Sequence, residues 1–364
     1  MKATLPLPRP CRLAHIGVVS AYPITPQSPI AEVLSEYTGD GRLDAKYIRV
    51  ESEHTAMSVA IGAQLTGVRT GTATSSVGLA LMFEMLGVAA RDTSWMQLYA
   101  EDCQDVLDLC LIAYRAAENG DVLVPTMVCM DGFFLSHMSQ AVYVPSQQDV
   151  DDFLPPYQAK NLKLDIADPM FVNNLIPSTE FMEMRYQQHT GFSNALPVLN
   201  TAMKEFETQF GRSHSPIAPY CCDDAEAILI TLGSMSGSVK EMVDQYRAQG
   251  GNVGNLKIVS FRPFPEEDLV AAIPRSARVG GLDRSMSMGA PAGPVCNDVR
   301  SAISNQGLNV RVQGFVVGLG GRDVRPVAIT SAFDRLLAGQ YDKDLQWLDI
   351  SNNAMTLRQY RATI

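Results

Sequence analysis

The stretch that decides the fold is residues 47–90, YIRVESEHTAMSVAIGAQLTGVRTGTATSSVGLALMFEMLGVAA. It opens with a short strand at 47–50, and the Ala- and Met-rich residues 55–65 then suit a helix packed closely on a sheet. A second strand follows at 70–73, and a helix at 77–90 begins after a pair of capping serines. Strands and helices that alternate in this order predict a parallel sheet covered on both faces.

The same alternation extends on both sides of this stretch. We predict a buried strand at 15–24, a helix at 102–118 and an apolar strand at 122–130. Residues 145–200 differ, because they contain a double proline, many polar residues and weak periodicity. Such a segment is typical of a long excursion that wraps another surface.

A new run of strands and helices starts at Ala225 and ends with a strand at 310–317. The preceding residues 215–224 are rich in proline and acidic side chains, which favours a boundary there. We therefore predict an α/β fold with two domains, residues 1–215 and residues 216–364.

Charge and hydropathy exclude several classes of partner. The 364 residues contain 29 Lys and Arg against 39 Asp and Glu, a net charge of −10, which disfavours nucleic acid or an anionic membrane surface as a main partner. No apolar run approaches the ~18–20 residues of a membrane-spanning helix. The first residues contain three prolines and no continuous apolar stretch, so no signal peptide is expected. We therefore expect a cytoplasmic protein.

The cysteines and histidines do not form metal-binding patterns. The seven cysteines contain no pair at the spacing of zinc or iron–sulfur sites, so any cluster has to come from another chain. His54, His137 and His189 are isolated from other potential ligands in sequence. We expect no metal site in this chain.

Gly39-Asp40-Gly41 resembles the start of the signature that holds magnesium diphosphate in thiamine-diphosphate enzymes. That signature requires a later Asn, and no Asn occurs between positions 42 and 118. We therefore interpret these residues as a turn, and this chain is expected to lack the diphosphate-binding half of such a site.

Glu51 and Glu53 flank Ser52 at the carboxyl end of a predicted strand, where open parallel sheets place their ligand-binding groups. Carboxylates two residues apart in an extended segment point to opposite faces, so one can be buried while the other is solvated. An acidic residue at a helix N-terminus is also favoured by the helix dipole, which would explain either residue without a function.

Eight runs in collinear order resemble the α subunits of 2-oxoacid:ferredoxin oxidoreductases, most closely the pyruvate branch. Each run is weakly specific alone, but together they extend over nearly the whole chain. They are YPITPQSP (22–29), ESEH (51–54), TATSSVGLALMFEML (72–86), RDTSWMQLYAED (91–102), DGFFLSH (131–137), FRPFP (261–265), LDRS (282–285) and GLGGRD (318–323).

The resemblance implies a pyrimidine-binding thiamine-diphosphate domain followed by a transketolase C-terminal-like domain. It implies coenzyme-A-dependent oxidative decarboxylation of pyruvate to acetyl-CoA and CO₂, reversible, with electrons passed to ferredoxin. Thiamine diphosphate would be shared with a β subunit that carries its diphosphate half. Mg²⁺ and [4Fe-4S] clusters would lie on partner chains, including γ and ferredoxin-like δ subunits or fused equivalents.

The resemblance also implies roles for individual residues. Glu53, the second acid of the ESEH run, matches the glutamate that activates the cofactor by hydrogen bonding to its aminopyrimidine ring. Thr25 matches a threonine that contacts the substrate. Thr74, Ser75 and Ser76 are expected to bind cofactor and to meet the partner chain.

The sequence departs from the family after Ala90. Family members carry an additional segment there, with a strand and an arginine that binds the substrate carboxylate, whereas Ala90 is followed here directly by Arg91. Either the protein lacks that arginine, or the segment is missing from the chain and its flanks are joined. Deleting a strand from inside a parallel sheet would leave ladder groups unpaired and a hole in the core, which favours the second explanation.

Two alternative functions stay open. A branched-chain 2-oxoacid or 2-oxoglutarate enzyme of the same family would differ mainly in its substrate pocket. A non-catalytic scaffold that kept the fold and lost the chemistry would suit a missing substrate arginine.

Overall fold

The computed structural model describes residues 2–4, 8–90, 95–159, 163–172, 175–342 and 345–351. Its contacts divide the chain into two compact units: Met1–Pro216 with Val259–Pro265, and Ile217–Ile258 with Glu266–Ile364. The run at 261–265, which the sequence analysis placed in the second domain, thus belongs to the first unit.

The first unit contains two three-stranded sheets and a short antiparallel pair among its described residues. Its strands are β1 (Lys2–Thr4), β2 (Val18–Ala21), β3 (Lys46–Arg49), β4 (Thr70–Gly71), β5 (Met96–Tyr99), β6 (Thr126–Cys129), β7 (Ser139–Ala141) and, from later in the chain, β11 (Ser260–Arg262). Its helices are α1 (Pro8–Leu13), α2 (Ser28–Gly39), α3 (Glu53–Gln64), α4 (Val77–Leu81), α5 (Phe83–Ala89), α6 (Cys103–Ala117), α7 (Gln147–Phe153), α8 (Ser178–Ser193) and α9 (Ala195–Phe210).

Strand order separates the two sheets of this unit. One sheet has the order β3-β2-β4, with all pairs parallel. The other has the order β11-β5-β6, in which β5 is parallel to β6 and antiparallel to β11. Strands β4 and β6 are therefore both edge strands, although each lies in a unit whose sequence predicts a continuous parallel sheet.

Helix α6 forms the centre of the main core of the first unit. Its apolar residues are almost all buried, and α9 packs along it. The helix is capped by Asp102, which accepts a hydrogen bond from the backbone N–H of Asp105. Asp108, fully buried on α6, accepts two hydrogen bonds from the guanidinium of Arg212 just beyond α9, at 2.7 and 2.8 Å. This bidentate pair connects the two helices.

The predicted excursion at 145–200 is more regular than its sequence indicates. It contains α7, all of α8 and the start of α9. Helix α8 has no buried residue, and the exposed apolar side chains Met182 and Tyr186 lie on it. Its weak hydrophobic periodicity reflects a helix without a buried face, although Phe192 near its C-terminal end packs against the main core of the unit.

The second unit is a six-stranded sheet of order β14-β13-β12-β9-β10-β8, mostly parallel, with β8 antiparallel to β10. Its central strands are almost entirely buried, as expected for a sheet covered on both faces. The elements are β8 (Ile217–Tyr220), β9 (Ala227–Leu232), α10 (Met235–Ala248), β10 (Val253–Ile258), α11 (Glu266–Ala271), β12 (Arg278–Asp283), α12 (Pro294–Asn305), β13 (Val312–Val316), a 3₁₀ turn (Leu319–Gly321), α13 (Pro326–Leu337) and β14 (Gln346–Trp347).

Asp283 joins the end of β12 to the start of α12. Its carboxylate accepts hydrogen bonds from the backbone N–H groups of Val295 and Cys296, at 2.8 and 3.1 Å. Burial raises the pKa of Asp283 to about 6, against the lowering effect of these two bonds.

Candidate active site

Glu53 is the first residue of α3, and its side chain is buried, with 4% of the residue exposed. The helix starts here because Ser52 is extended and its side chain accepts a hydrogen bond from the backbone N–H of Thr55. The partial positive charge of a helix N-terminus favours a carboxylate at this position. Burial of such an acid, rather than solvation, is what distinguishes Glu53 from an ordinary helix-start residue.

Glu51 has the opposite environment. Its side chain is exposed, and its Oε1 accepts a hydrogen bond of 2.6 Å from the hydroxyl of Thr55. This hydrogen bond lowers the pKa of Glu51. The alternation expected for two acids on one extended segment is therefore present in the structure: Glu51 is solvated and Glu53 is buried.

Gly78 allows α4 to approach Glu53. A Cβ placed on Gly78 would lie 2.5 Å from Glu53 Oε1 and 2.5 Å from Thr74 Oγ1, so a side chain there would force both groups to shift. Thr74 Oγ1 is buried and has no hydrogen-bond partner among the residues that the structure describes. A buried carboxyl group next to an unpartnered hydroxyl is a suitable cradle for a polar heterocycle with donor and acceptor groups.

The Thr25 loop is fastened to the residues before α4. The hydroxyl of Ser75 donates to the backbone carbonyl of Thr25 at 3.1 Å, and Nε2 of Gln27 donates to the carbonyl of Ala73 at 2.6 Å. Thr25 itself is exposed, whereas Gln27 is 3% exposed. Oε1 of Gln27 has no hydrogen-bond partner within the described part of the chain.

The structure thus gathers the predicted site residues into two adjoining contacts. Glu53 and Thr74 meet beside Gly78, and Ser75 joins Thr25. Ser76 is exposed just before α4 and makes no side-chain cap. The arrangement places a buried acid and an exposed threonine hydroxyl around the same loop, 73–76.

Two residues of this region were missed by the sequence analysis, Gln27 and Gly78. Gln27 lies between two prolines in the run YPITPQSP. A polar side chain in such a turn could have been identified as one that hydrogen-bonds to the backbone. Gly78 stands inside a predicted helix, where glycine is unfavourable and suggests close approach of another group.

A cavity of about 1460 Å³ adjoins the site within the first unit. Most of its lining side chains are apolar, but the buried and unpartnered oxygens of Gln27, Thr72, Thr74 and Thr126 belong to its lining. The cavity is partly open to solvent, so water or a polar ligand can fill it and supply partners to these oxygens.

No group of three or more potential metal ligands is present among the residues that the structure describes. His54 Nε2 lies 3.4 Å from Glu84 Oε2, and His137 Nδ1 lies 2.9 Å from the hydroxyl of Ser136. Asp40 of the Gly-Asp-Gly run pairs with Arg42 in an exposed turn after α2. Arg91 lies outside the described residues.

The fold and site define a class, that of α/β proteins with a thiamine-diphosphate-binding type of domain. Residues 10–91 and 87–204 match the family model for pyruvate flavodoxin/ferredoxin oxidoreductase, thiamine diphosphate-binding. Residues 225–329 match the model for pyruvate:ferredoxin oxidoreductase core domain II. These matches confirm the predicted α/β fold.

Similar proteins agree with this class. Pyruvate synthase subunit PorA of Methanothermobacter thermautotrophicus is 36% identical over 374 residues, covering 94% of this chain and 96% of that protein. Ketoisovalerate oxidoreductase subunit VorA of Pyrococcus horikoshii is 38% identical over 370 residues, covering 92% of this chain and 93% of that protein. The chain belongs to the pyruvate:ferredoxin oxidoreductase family, as the sequence analysis predicted.

A solved structure supports the fold. The 2-oxoglutarate:ferredoxin oxidoreductase from Magnetococcus marinus, with 2-oxoglutarate, coenzyme A and succinyl-CoA bound, matches with a TM-score of 0.67 at 18% identity. The match covers 91% of this chain and 64% of that one, so this chain corresponds to about two thirds of its length. Among the described residues, no helix is long and apolar enough to cross a membrane.

Proposed function

We propose that this chain is the α subunit of a pyruvate:ferredoxin oxidoreductase. The enzyme would oxidatively decarboxylate pyruvate to acetyl-CoA and CO₂ with coenzyme A as co-substrate, reversibly, and pass electrons to ferredoxin. The observation that carries the proposal is the buried carboxyl group of Glu53 at the start of α3, next to the unpartnered hydroxyl of Thr74. The relatives named pyruvate synthase support the choice of reaction.

Glu53 and Thr74 suit the aminopyrimidine half of thiamine diphosphate. When bound, this cofactor supplies the electron sink for decarboxylation of a 2-oxoacid. Glu53 would hold a proton at its carboxyl oxygen and share it with a ring nitrogen, and the shielded position would keep water from competing for that hydrogen bond. Ser75 and Ser76 complete the polar loop beside it.

Thr25 would orient the substrate. Its side chain is exposed, and its backbone carbonyl is held by Ser75, so the hydroxyl stands on a fixed loop beside the cofactor-binding residues. A hydroxyl group can donate to a carboxylate or keto oxygen. This assignment depends on the family resemblance together with that position.

Partner chains are needed for the rest of the enzyme. The chain lacks the full magnesium–diphosphate signature, so we assign the diphosphate half of the cofactor and Mg²⁺ to a β subunit, and the [4Fe-4S] clusters to partner chains such as γ and ferredoxin-like δ subunits. Exposed apolar residues of α4 and α5 support a partner next to the site: Val77 is 75% exposed and Phe83 is 76% exposed. The acidic charge and scattered cysteines support a cytoplasmic location.

We also retain the proposed domains. Residues 1–215 would form the pyrimidine-binding domain and residues 216–364 the transketolase C-terminal-like domain, with strand β11 added to the sheet of the first unit. The matches at 10–204 and 225–329 support a boundary between these segments.

The alternative substrate is a branched-chain 2-oxoacid, because VorA is as similar to this chain as PorA is. Dye reduction by the chain produced together with its partner subunits separates the alternatives, with pyruvate, 2-oxoisovalerate and 2-oxoglutarate as substrates. Dye reduction that needs coenzyme A and is fastest with pyruvate would support the proposal. A complex that neither binds thiamine diphosphate nor reduces dye with any 2-oxoacid would identify the chain as a scaffold.

A further inference from the structure

Two loops of the candidate site come after neighbouring parallel strands. The Thr25 loop, residues 22–27, follows β2, and the Thr74 loop, residues 73–76, comes after β4. Because β2 and β4 are parallel partners, both loops leave the sheet at its carboxyl edge, where open parallel sheets bind their ligands. The position of one loop relative to the other therefore sets the distance between the hydroxyl proposed to orient substrate and the hydroxyl proposed to bind cofactor.

The side chain of Gln27 is the buried connection between these loops. Its Nε2 donates to the carbonyl of Ala73 in the Thr74 loop at 2.6 Å and to the carbonyl of Tyr22 in its own loop at 3.3 Å. The second connection, from the hydroxyl of Ser75 to the carbonyl of Thr25 at 3.1 Å, is exposed to solvent. A hydrogen bond shielded from water is electrostatically stronger than an exposed one, so Gln27 contributes most of the connection.

The two carbonyl groups decide the orientation of the Gln27 amide. Carbonyl oxygens only accept hydrogen bonds, so the amide nitrogen must face them and the amide oxygen must point elsewhere. This oxygen, Oε1, is buried and lacks a hydrogen-bond partner among the described residues, and Gln27 lines the same cavity as Thr74. Buried amides are normally paired at both ends. The unpaired oxygen therefore indicates that a donor in the cavity, from water or from a ligand, completes the hydrogen bonds of Gln27.

The backbone around Gln27 makes the Thr25 loop a closed turn. The backbone N–H groups of Gln27 and Ser28 both donate to the carbonyl of Ile24, at 2.8 and 3.0 Å. Thr25 lies inside this turn, so a displacement of Gln27 displaces Thr25 as well.

We propose that Gln27 is a positioning residue of the candidate active site. Its amide nitrogen holds the Thr25 loop on the Thr74 loop, so that the Thr25 hydroxyl keeps a fixed position relative to a cofactor bound at Glu53 and Thr74. Gln27 acts through Thr25 and does not touch the reacting atoms. The effect on turnover rests on the proposed function, whereas the connection between the two loops does not.

Hydrogen–deuterium exchange on the assembled complex tests this connection without turnover. Gln27→Met keeps an unbranched side chain of similar length but removes the donor. We expect the backbone amides of residues 24–28 to exchange at least ~10-fold faster in this variant, because the turn is no longer held on the Thr74 loop. Added thiamine diphosphate should slow exchange of the same amides in the wild type and not in Gln27→Met.

Gln147→Met is the matched control for the exchange experiment. The Nε2 of Gln147 also donates to a backbone carbonyl, that of Leu13, at 2.9 Å, but it lies outside the two loops. This variant should leave exchange of residues 24–28 unchanged. Wild-type exchange of these amides in Gln27→Met would overturn the proposal.

Kinetics of the complex separate a positioning role from a loss of stability. We expect Gln27→Met to lower kcat/KM for pyruvate by ~10-fold or more, as misplacement of positioning groups typically does. In a Thr25→Val background, which lacks the hydroxyl, the same change should lower kcat/KM by less than about twofold, because the two changes remove one interaction. Additive losses would overturn the proposal, since Gln27 would then act by a route other than Thr25.

The inference and the proposed function can fail separately. A wild-type complex that neither binds thiamine diphosphate nor reduces dye contradicts the proposed function, and exchange without cofactor still decides whether Gln27 connects the loops. A wild-type complex that oxidises pyruvate, with unchanged exchange and kcat/KM in Gln27→Met, contradicts the inference alone. If Gln27→Met does not assemble, Gln27→Asn, which retracts the amide by one methylene, is measured in its place with the same expectations.

Discussion

Single side chains decide the chemistry of the candidate site. Glu51 and Glu53 are two residues apart, yet one is exposed and the other buried, because the chain turns from a strand into α3 between them. Gly78 has no side chain, and a side chain there would occupy the space of the Glu53 carboxyl group and the Thr74 hydroxyl. Substitutions at these positions therefore have separable effects on proton transfer and on geometry.

Replacement of Glu53 by glutamine keeps the size of the side chain and one acceptor, but removes the proton that the carboxyl group would share. We expect Glu53→Gln to lower turnover by about 10²–10⁴ while cofactor stays bound. Glu51→Gln is the control, because loss of an exposed carboxylate has small effects. Turnover and proton–deuterium exchange at the thiazolium carbon are measured in the assembled complex, and an equal or larger loss at Glu51 would contradict the assignment.

A methyl group at Gly78 would displace the Glu53 carboxyl and the Thr74 hydroxyl. We expect Gly78→Ala to weaken thiamine-diphosphate binding by ~10-fold or more, as misplacement of positioning groups typically does. Gly62→Ala on α3 is the matched control, because a Cβ there meets nothing within 4 Å and the better helix former should stabilise by about 0.5–1 kcal/mol. Cofactor titration by calorimetry on the complex, with thermal unfolding, checks both. Unchanged binding in Gly78→Ala would show that this contact is unimportant.

Contacts between elements depend on a few charged groups that are buried among apolar residues. On α6, burial alone would raise the pKa of Asp108, but the hydrogen bonds from Arg212 and His214 outweigh it, and the pKa is lowered. In the second unit, Asp283 joins β12 to α12. Its pKa is raised, because desolvation there outweighs the hydrogen bonds that it accepts. The two carboxyl groups therefore contribute to stability with opposite dependence on pH.

Removing the charge of Asp108 should leave the Arg212 guanidinium without its partner. We expect Asp108→Asn to reduce the free energy of unfolding by about 3 kcal/mol. The exposed pair Arg115–Glu205 is a matched control within the same unit, and Glu205→Gln should cost less than about 1 kcal/mol. Denaturant unfolding at pH 7 checks both variants, and equal losses would mean that burial does not set the importance of the Asp108 contact.

The raised pKa of Asp283 predicts that the free energy of unfolding depends on pH. Its pKa in the folded protein is about 6, above the value of 3.8 for a free side chain, so the folded state holds the proton more tightly. The resulting stabilisation is complete below pH 3.8 and is lost as pH rises through 6, by about 3 kcal/mol in total. The wild type should therefore lose this amount relative to Asp283→Asn between about pH 4 and pH 7. Denaturant unfolding of both proteins across this range checks it, and a constant difference would refute the assigned shift.

At the scale of the whole molecule, three features bear on whether the chain acts with partner chains. No group of three or more potential metal ligands occurs among the described residues, and the sequence lacks the Asn that would complete a magnesium–diphosphate signature after Gly39-Asp40-Gly41. The exposed apolar residues of α4, α5 and α8 are further surfaces that a monomer would leave in water. We infer that activity and full stability both require partner chains.

The chain produced alone should show neither iron–sulfur absorbance nor 2-oxoacid-dependent dye reduction, because we assign the groups for both to other subunits. Production together with its partner subunits is the positive control. Visible and near-ultraviolet absorbance together with a dye assay checks the outcome. A visible cluster spectrum from the isolated chain would refute the assignment of the clusters to partner chains.

Much of the element order could be read from sequence because it depends on local periodicity and punctuation. The helix at 102–118 and the alternating strands of the second unit follow from apolar residues that recur at helix or strand spacing, and the structure has α6 and β9, β10, β12 and β13 there. Strand β5 was not predicted, because a segment of four residues is too short for its alternating burial to stand out from the motif around it. Helix α8 was not predicted either, because none of its residues is buried and its sequence therefore has little hydrophobic periodicity.

The pair of acids and the threonine of the candidate site were found through motif resemblance and the alternation of an extended chain, which are properties of neighbouring residues. Tertiary structure alone decided that Gly78 meets Glu53, that Gln27 binds the carbonyl of Ala73, and that β4 and β6 face one cavity. These contacts join residues distant in sequence, and their free energy depends on which buried polar groups are left without partners. Local sequence determines which segments form strands and helices, but only the packed chain determines which of their edges and polar groups remain unpaired.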